Sequence, residues 1–309
     1  MEINRDYYLN KVINAENNGL IKIVTGIRRC GKSYLLNHLF YNYLLNKGIK
    51  ENHIIKIALD SIENKYLRDP LKLYEYIKEK LIDKEKYYII LDEIQIVNDF
   101  VEVLNSLLRI ENVDVYVTGS NSKFLSSDIV TEFRGRGYEI RMYPLSFAEF
   151  MTIYNGTISN GWKQYYTYGG LPVVTQIEDG EGKVNYLAEQ KENVYINDVL
   201  ERNNIKNDEE LRILVEIISS NIGSLSNPTK LADTFESTRN IKIGNKTINA
   251  YLKYLEEAFI IEKAKKYDIK GKRYIDTPSK YYFTDVGLRN SFGVPSMGNN
   301  LRVKVPYSA

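Results

Sequence analysis

The sequence predicts an α/β chain: a parallel sheet flanked by helices, then a helical connector and a small unit of three helices and a β-hairpin. Three observations carry this. Residues 26–33 read Gly-Ile-Arg-Arg-Cys-Gly-Lys-Ser between an apolar run and a helical pattern. A second apolar run ends in Asp92-Glu93. Beyond Pro144 extended runs give way to helical spacings, until two short runs near the end read as a hairpin. At 309 residues, 43% hydrophobic, the chain is long enough for about two domains with a core each.

Residues 1–19 read as a helix carrying Tyr7, Tyr8, Leu9 and Val12. Residues 20–24 are a buried strand. The helical pattern after it holds Tyr34, Leu35, Leu36, Leu39, Phe40, Tyr43 and Leu44, and Gly48 closes it. Between them Gly26, Ile27, Arg28, Arg29, Cys30, Gly31, Lys32 and Ser33 form G-x-x-x-x-G-K-S, with Tyr34 directly behind. Strand, glycine-rich turn and helix start present backbone N–H groups and the positive helix end to phosphate. Gly26 and Gly31 permit the tight wrap, Lys32 would reach the β- and γ-phosphates, and the Ser33 hydroxyl would hold Mg²⁺. These residues are the candidate nucleotide-binding stretch.

Residues 53–59 read as a second strand and 70–82 as a helix. Residues 87–91 are a third strand, with Asp92 and Glu93 at its tip. Ligands of open parallel sheets bind at that end. Asp92 is expected in the Mg²⁺ shell opposite Ser33. Glu93 would polarise a water for attack on the γ-phosphate; an acid stabilised at a helix N-terminus gives the same pattern. A helix over 99–110 leads to a strand over 113–118 and then to Gly119-Ser120-Asn121-Ser122. In hydrolases with an additional strand between the two site strands, a polar residue at that tip faces the attacking water. Ser120 and Asn121 are both candidates, and both also suit an ordinary turn or cap. Phe133-Arg134-Gly135-Arg136-Gly137 precedes a strand over 138–142. An arginine there would neutralise transition-state charge, in its own site or a neighbour's, or serve as a surface residue.

From Pro144 the chain reads as a connector and lid, punctuated by Tyr168-Gly169-Gly170-Leu171-Pro172, with a long helix over 183–202. A helix follows over 211–220. Asn227-Pro228 opens the next, with the proline at the first helical position. A third starts at Asn245 or Thr247, with Ile248, Leu252, Leu255 and Phe259 on one face. A strand over 259–267, a turn at 270–272 and a returning strand over 281–285 complete a winged-helix plan. Lys263, Lys265, Lys266, Lys270, Lys272 and Arg273 crowd the hairpin. They would contact nucleic-acid phosphates, or form a solvated wing used for packing. The third helix offers Lys246 and Lys253, but Tyr251, Tyr254, Glu256 and Glu257 do not make a base-reading face. The expected division is 1–145, 146–206, 207–290 and an irregular tail over 291–309.

Composition excludes several classes. A net charge of +2 argues neither for nor against nucleic acid, and the 26 tyrosines read as compositional bias. The single cysteine, Cys30, makes no intrachain disulfide and reads as a small loop residue. With only His38 and His53 as histidines, a Cys/His zinc site lacks ligands. The charged start resembles no signal peptide, and no run approaches the ~20 apolar residues that cross a bilayer. A cytoplasmic protein without membrane contact is expected.

Taken together, the motifs resemble a known family. In order they are residues 26–33, Leu91-Asp92-Glu93-Ile94-Gln95, Val117-Thr118-Gly119-Ser120-Asn121-Ser122, Tyr143-Pro144-Leu145-Ser146-Phe147, Tyr168-Gly169-Gly170-Leu171-Pro172, Ile248-Asn249-Ala250-Tyr251-Leu252, and the run Tyr282 through Asn290. The chain resembles the bacterial and archaeal AAA-type ATP-binding proteins, whose P-loop NTPase domain precedes a winged helix of unassigned function. The resemblance covers about residues 15–290. It implies ATP, Mg²⁺ and an additional-strand sheet, and it favours Arg136 over Arg134. Members of that family usually continue into a nuclease-like domain, which residues 291–309 do not resemble; the chain looks cut short or diverged there, and the resemblance carries no nuclease activity over to it. The reading that follows is a Mg²⁺-dependent ATPase whose turnover moves the winged helix. The alternative is an ATP-gated switch with little turnover that engages DNA or a protein, and homo-oligomers are compatible with both. A small-molecule kinase is weaker, because no acceptor-pocket motif is evident.

Overall fold

The structure, a computed structural model of the chain, describes residues 3–120, 135–265 and 278–293. It divides into two compact units, Met1–Met142 and Tyr143–Ala309.

In the first unit the apolar runs become β1 (Ile21–Thr25), β2 (Ile54–Ala58), β3 (Tyr87–Asp92) and β4 (Val113–Gly119), followed by β5 (Gly137–Arg141). Their order in the sheet is β2-β3-β4-β1-β5, and every pairing is parallel. β4 therefore lies between β1 and β3, the additional-strand arrangement expected from sequence. Strands covered on both faces need continuous apolar runs, and β1, β3 and β4 are buried along their whole length.

The two faces have different partners. Ile21, Ile23, Ile57, Ile89, Leu91, Val115 and Val117 share one core with Leu73, Ile77, Leu104 and Leu107. Those last four come from the helices Pro70–Lys80 and Phe100–Leu107. The alternate strand positions carry Lys22, Tyr88, Asp92, Asp114, Tyr116 and Thr118. Above them runs a continuous helix over 32–46, with a π-helical middle at Leu35–Phe40. Its Phe40 ring lies 4.5 Å from that of Tyr116 and 6.3 Å from that of Tyr88. This second face is partly polar. Lys22 and Asp114 form a buried ion pair. Lys22 also donates to the Leu20 carbonyl at 2.8 Å, and Asp114 accepts the Asn17 N–H at 3.0 Å and the Tyr116 hydroxyl at 2.8 Å. Burial lowers the Lys22 pKa while Asp114 opposes that shift. A buried pair is tolerated only when its remaining donors and acceptors are matched in this way.

The second unit is mainly helical. Ser146 and Glu149 form a capping box on Phe147–Met151. Ile158–Tyr168, Pro172–Gln176 and a continuous helix over 180–202 follow. Next come Asp208–Ser220, Pro228–Arg239 and Asn245–Glu257. Asn227 caps the second of these by accepting the Lys230 N–H at 2.7 Å, with Pro228 at its first position, as the sequence predicts. β6 (Ile261–Ala264) pairs antiparallel with β7 (Lys280–Phe283). Phe259, expected on the face of the third helix and in a strand, has φ 56° and turns the chain out of that helix. The expected turn at 270–272 lies outside the described residues. The last described helix is Val286–Phe292, which reaches two residues past Asn290.

Two stretches far apart in sequence interlock here. Asp285 caps Val286–Phe292 through the Leu288 N–H at 2.8 Å, and its other oxygen accepts the Gly170 N–H at 2.7 Å. Asn290 donates to the Tyr166 and Thr167 carbonyls, both at 2.9 Å. Gly287 packs so closely that a Cβ would lie 2.0 Å from the Tyr168 carbonyl oxygen. Gly170 in turn accepts the Leu145 N–H at 2.7 Å.

Candidate nucleotide site

β1 delivers the chain into the loop, and packing dictates the first glycine. At Gly26 φ is 143°, and a Cβ would stand 2.1 Å from the Met142 carbonyl oxygen. Gly31, at φ 102°, starts the 32–46 helix without a side-chain cap. The first N–H groups of that helix therefore keep their capacity for an anion. Lys32 is only 4% exposed, and its Nζ donates to the Gly26 and Ile27 carbonyls at 3.0 and 3.1 Å. Ile27 and Cys30 are buried, Arg28 is half-buried and Arg29 is exposed with φ 65°. The Cys30 thiol packs on the Met142 carbonyl at 3.6 Å, in keeping with a small structural loop residue. Tyr34 stacks on His38 with ring centroids 4.8 Å apart.

The acidic side is built from β3 and β4. Asp92 is the last residue of β3, and its Oδ1 accepts the Ser33 hydroxyl at 3.0 Å. The same oxygen accepts the Thr118 hydroxyl, while Asn37 donates to Oδ2 at 3.4 Å. Burial raises the Asp92 pKa, against the Thr118 and Ser33 hydrogen bonds that favour its charged form. Glu93 sits in the left-handed region at φ 54°, ψ 45°, and its N–H donates to Thr118 Oγ1 at 2.9 Å. Its carboxylate accepts the Ser120 hydroxyl at 3.1 Å and the Gln95 amide. A glycine-rich anion cradle, a buried amine, a hydroxyl–carboxylate pair and a second carboxylate thus meet at the C-terminal ends of β1, β3 and β4. A divalent cation fits that donor set of hydroxyl and carboxylate oxygens.

Residues 18–151 match the AAA domain family, and residues 159–298 match a domain of unknown function, DUF8612. An uncharacterized protein of Haemophilus influenzae is 36% identical over 293 residues, which cover 93% of this chain and 72% of that protein. The chain carries an AAA domain over residues 18–151 and belongs to one family with the Haemophilus protein. This AAA chain is also 29% identical over 302 residues to the uncharacterized protein MJ1544 of Methanocaldococcus jannaschii, covering 92% of its own length and 63% of that relative's. The Walker-type ATPase paby2304 of Pyrococcus abyssi superposes with a TM-score of 0.63 over 95% of this chain and 96% of its own. At 14% identity that likeness is one of fold. Among the described residues, no helix is long and apolar enough to cross a membrane.

The sheet of this AAA chain brings together Lys32, Ser33, Asp92, Glu93 and Ser120. It does not bring Arg136 to them. The Arg136 carbonyl accepts the Ile21 N–H at 2.8 Å, at the opening end of β1, and its guanidinium donates to Asn105 at 3.0 Å. The length of β1, at about 3.3 Å per residue, separates that point from Gly26. In this structure Arg136 therefore lies away from the loop of its own chain. Asn121 and Arg134 lie outside the described residues, as do Lys266, Lys270, Lys272 and Arg273. Sequence reasoning missed Thr118, Asn37 and Gln95. The signal for Thr118 was its parity: Asp114, Tyr116 and Thr118 alternate on the Asp92 face. Asn37 follows Ser33 by one helical turn and so shares its face.

Proposed function

We propose that the chain binds ATP with Mg²⁺, hydrolyses it, and uses turnover to move a C-terminal winged helix. The convergence of Lys32, Ser33, Asp92 and Glu93 at one end of a parallel sheet carries this reading. Ser33 and Asp92 would hold Mg²⁺, which when bound neutralises charge on the phosphate oxygens. Lys32 would exchange the Gly26 and Ile27 carbonyls for phosphate oxygens. Glu93 would orient and deprotonate the attacking water, held by Ser120 and Gln95. Asn121 would face the γ-phosphate. Arg136 would act on the site of a neighbouring copy. The winged helix would comprise Asp208–Ser220, Pro228–Arg239 and Asn245–Glu257 with the β6–β7 ribbon. Glu93→Gln is expected to keep ATP binding and to lower phosphate release by about 10²–10⁴-fold. Equal turnover in the variant and the parent would remove Glu93 from the mechanism.

One observation favours a second reading, an ATP-gated switch with little turnover. The Glu93 carboxylate already accepts two side-chain donors, Ser120 and Gln95, which compete with a water for it. A single slow turnover with a large ATP-dependent change in partner affinity would support this reading. Steady multiple turnover would exclude it.

A further inference from the structure

We propose that Arg5 is a positioning residue of the nucleotide site: its buried guanidinium fixes the Cys30–Gly31 peptide so that the Gly31 N–H faces the bound phosphates. This deepens the ATP-binding reading above and rests on it. Arg5 lies 25 residues before Cys30, in a stretch that no phosphate-loop pattern includes. It is 2% exposed and is one of the largest fully buried side chains. Burying a guanidinium is costly unless its donors meet strong acceptors. One acceptor lies in the loop itself: Arg5 Nη1 donates to the Cys30 carbonyl at 3.1 Å. The local sequence holds the arginine in place. Its own carbonyl accepts the Tyr8 and Leu9 N–H groups, both at 2.9 Å, where the helix Asp6–Asn14 starts. The guanidinium carbon stands 4.7 Å from the centre of the Tyr8 ring. Past the far end of that helix, the Asn17 N–H donates to Asp114 at 3.0 Å and Glu16 accepts Lys47 Nζ at 2.7 Å. The helix is thus tied to β4 and to the end of the 32–46 helix on one side, and reaches the loop on the other.

Peptide geometry carries this hold into the loop. The described peptide bonds are trans, and in a trans peptide the C=O and N–H point in opposite directions. Drawing the Cys30 carbonyl toward Arg5 therefore turns the Gly31 N–H away from Arg5. That N–H donates to no group among the described residues, and it stands directly before the uncapped helix start at Lys32. Glycine offers little resistance to rotation of its flanking peptides, so the N–H needs a hold from outside the loop. Backbone donors grip an anion best when they are aimed before it arrives. Charge adds to the effect. A guanidinium one peptide group away from a bound phosphate, in a buried setting, attracts it more than a neutral donor at the same place would.

The test is calorimetric titration of the full chain with ADP and Mg²⁺, beside steady-state phosphate release from ATP. Arg5→Met is expected to weaken ADP binding about tenfold or more, with the number of binding sites per chain kept. KM for ATP should rise by the same factor while kcat stays near the parent's, because the loop grips the phosphates alike in the ground and transition states. Arg5→Lys keeps the charge and a donor but not the planar fork, and should recover part of the affinity. Guanidinium ion at millimolar concentration should tighten ADP binding by Arg5→Ala and leave the parent unchanged. A chain that is merely destabilised loses sites, not affinity. Fewer sites at the parental Kd therefore overturn the proposal, as do unchanged affinity at full occupancy and a loss of kcat at unchanged KM. If Arg5→Met and Arg5→Ala do not fold, Arg5→Lys decides, and a parental Kd there overturns the proposal. A parent that binds ADP but releases no phosphate contradicts the turnover reading alone, since the affinity comparison still stands. A parent that binds neither nucleotide ends both.

Discussion

Thr118 joins the two carboxylates of the site. Its hydroxyl donates to Asp92 and accepts the Glu93 N–H at 2.9 Å, so one side chain fixes both the proposed cation ligand and the proposed general base. Replacing it with valine would leave the Glu93 N–H without that acceptor and remove one of the two hydroxyl donors to Asp92 Oδ1. Thr118→Val is expected to cost about 1–3 kcal/mol of stability, read as a lower denaturant midpoint. Phosphate release should fall further than that loss explains. Asp92 makes the complementary case. Its raised pKa means that the folded chain takes up a proton more readily than the unfolded one. Its charged form is therefore a burden above that pKa, and the burden lifts as pH falls through it. Asp92→Asn is expected to raise the nucleotide-free melting temperature at neutral pH and to abolish the Mg²⁺-dependent rise on adding ATP. The stability difference between parent and variant should narrow as pH falls from neutral into the acid range. A difference that stays constant with pH would show that the Asp92 charge carries no such cost.

At the scale of elements, strands covered on both faces were legible because they are long apolar runs, and the site carboxylates because they end one. What stayed illegible is long-range. Gly169-Gly170 and the run from Asp285 to Asn290 stand out in sequence, but their physical reason lies in contacts between residues more than a hundred positions apart. Asp285 fills the space beside Gly169, where φ is 80° and a Cβ would lie 2.2 Å from the carboxylate. Gly287 presses on the backbone of Tyr168. Gly287→Ala must therefore push two helices apart. It is expected to cost about 1–3 kcal/mol, and more if the interlock opens. Gly244 provides the control: a Cβ there would meet nothing closer than the Thr247 hydroxyl at 3.9 Å. Gly244→Ala meets no clash and should cost only the few tenths to about 1 kcal/mol of a poorer helix N-cap. The short β6 is a milder case of the same illegibility. Its expected start at Phe259 reads as β-prone, but the residue is used to leave the preceding helix, and pairing with β7 begins at Ile261.

At the scale of the whole molecule, the position of Arg136 decides how a catalytic arginine would have to work. The nucleotide end of the sheet is the C-terminal end of β1, and Arg136 lies exposed beside its N-terminal end. A side chain cannot span that length, so if Arg136 acts on a γ-phosphate, it would have to be that of a neighbouring copy. A surface patch meeting a different patch on the next subunit makes a head-to-tail contact, which closes into a ring or extends as a filament. Solution mass is therefore expected to rise on adding ATP with Mg²⁺, and specific activity to rise with protein concentration. Arg136→Ala should retain ATP binding and lose about 10³-fold or more in turnover. Lys32→Ala should lose ATP binding. Neither variant hydrolyses ATP alone, but each holds what the other lacks. A mixed assembly places the intact Arg136 of the Lys32→Ala copy against the intact loop of the Arg136→Ala copy. Mixing them should restore a fraction of parental phosphate release that depends on their ratio. Turnover independent of concentration, with no rescue on mixing, would leave Arg136 as a surface residue held by Asn105.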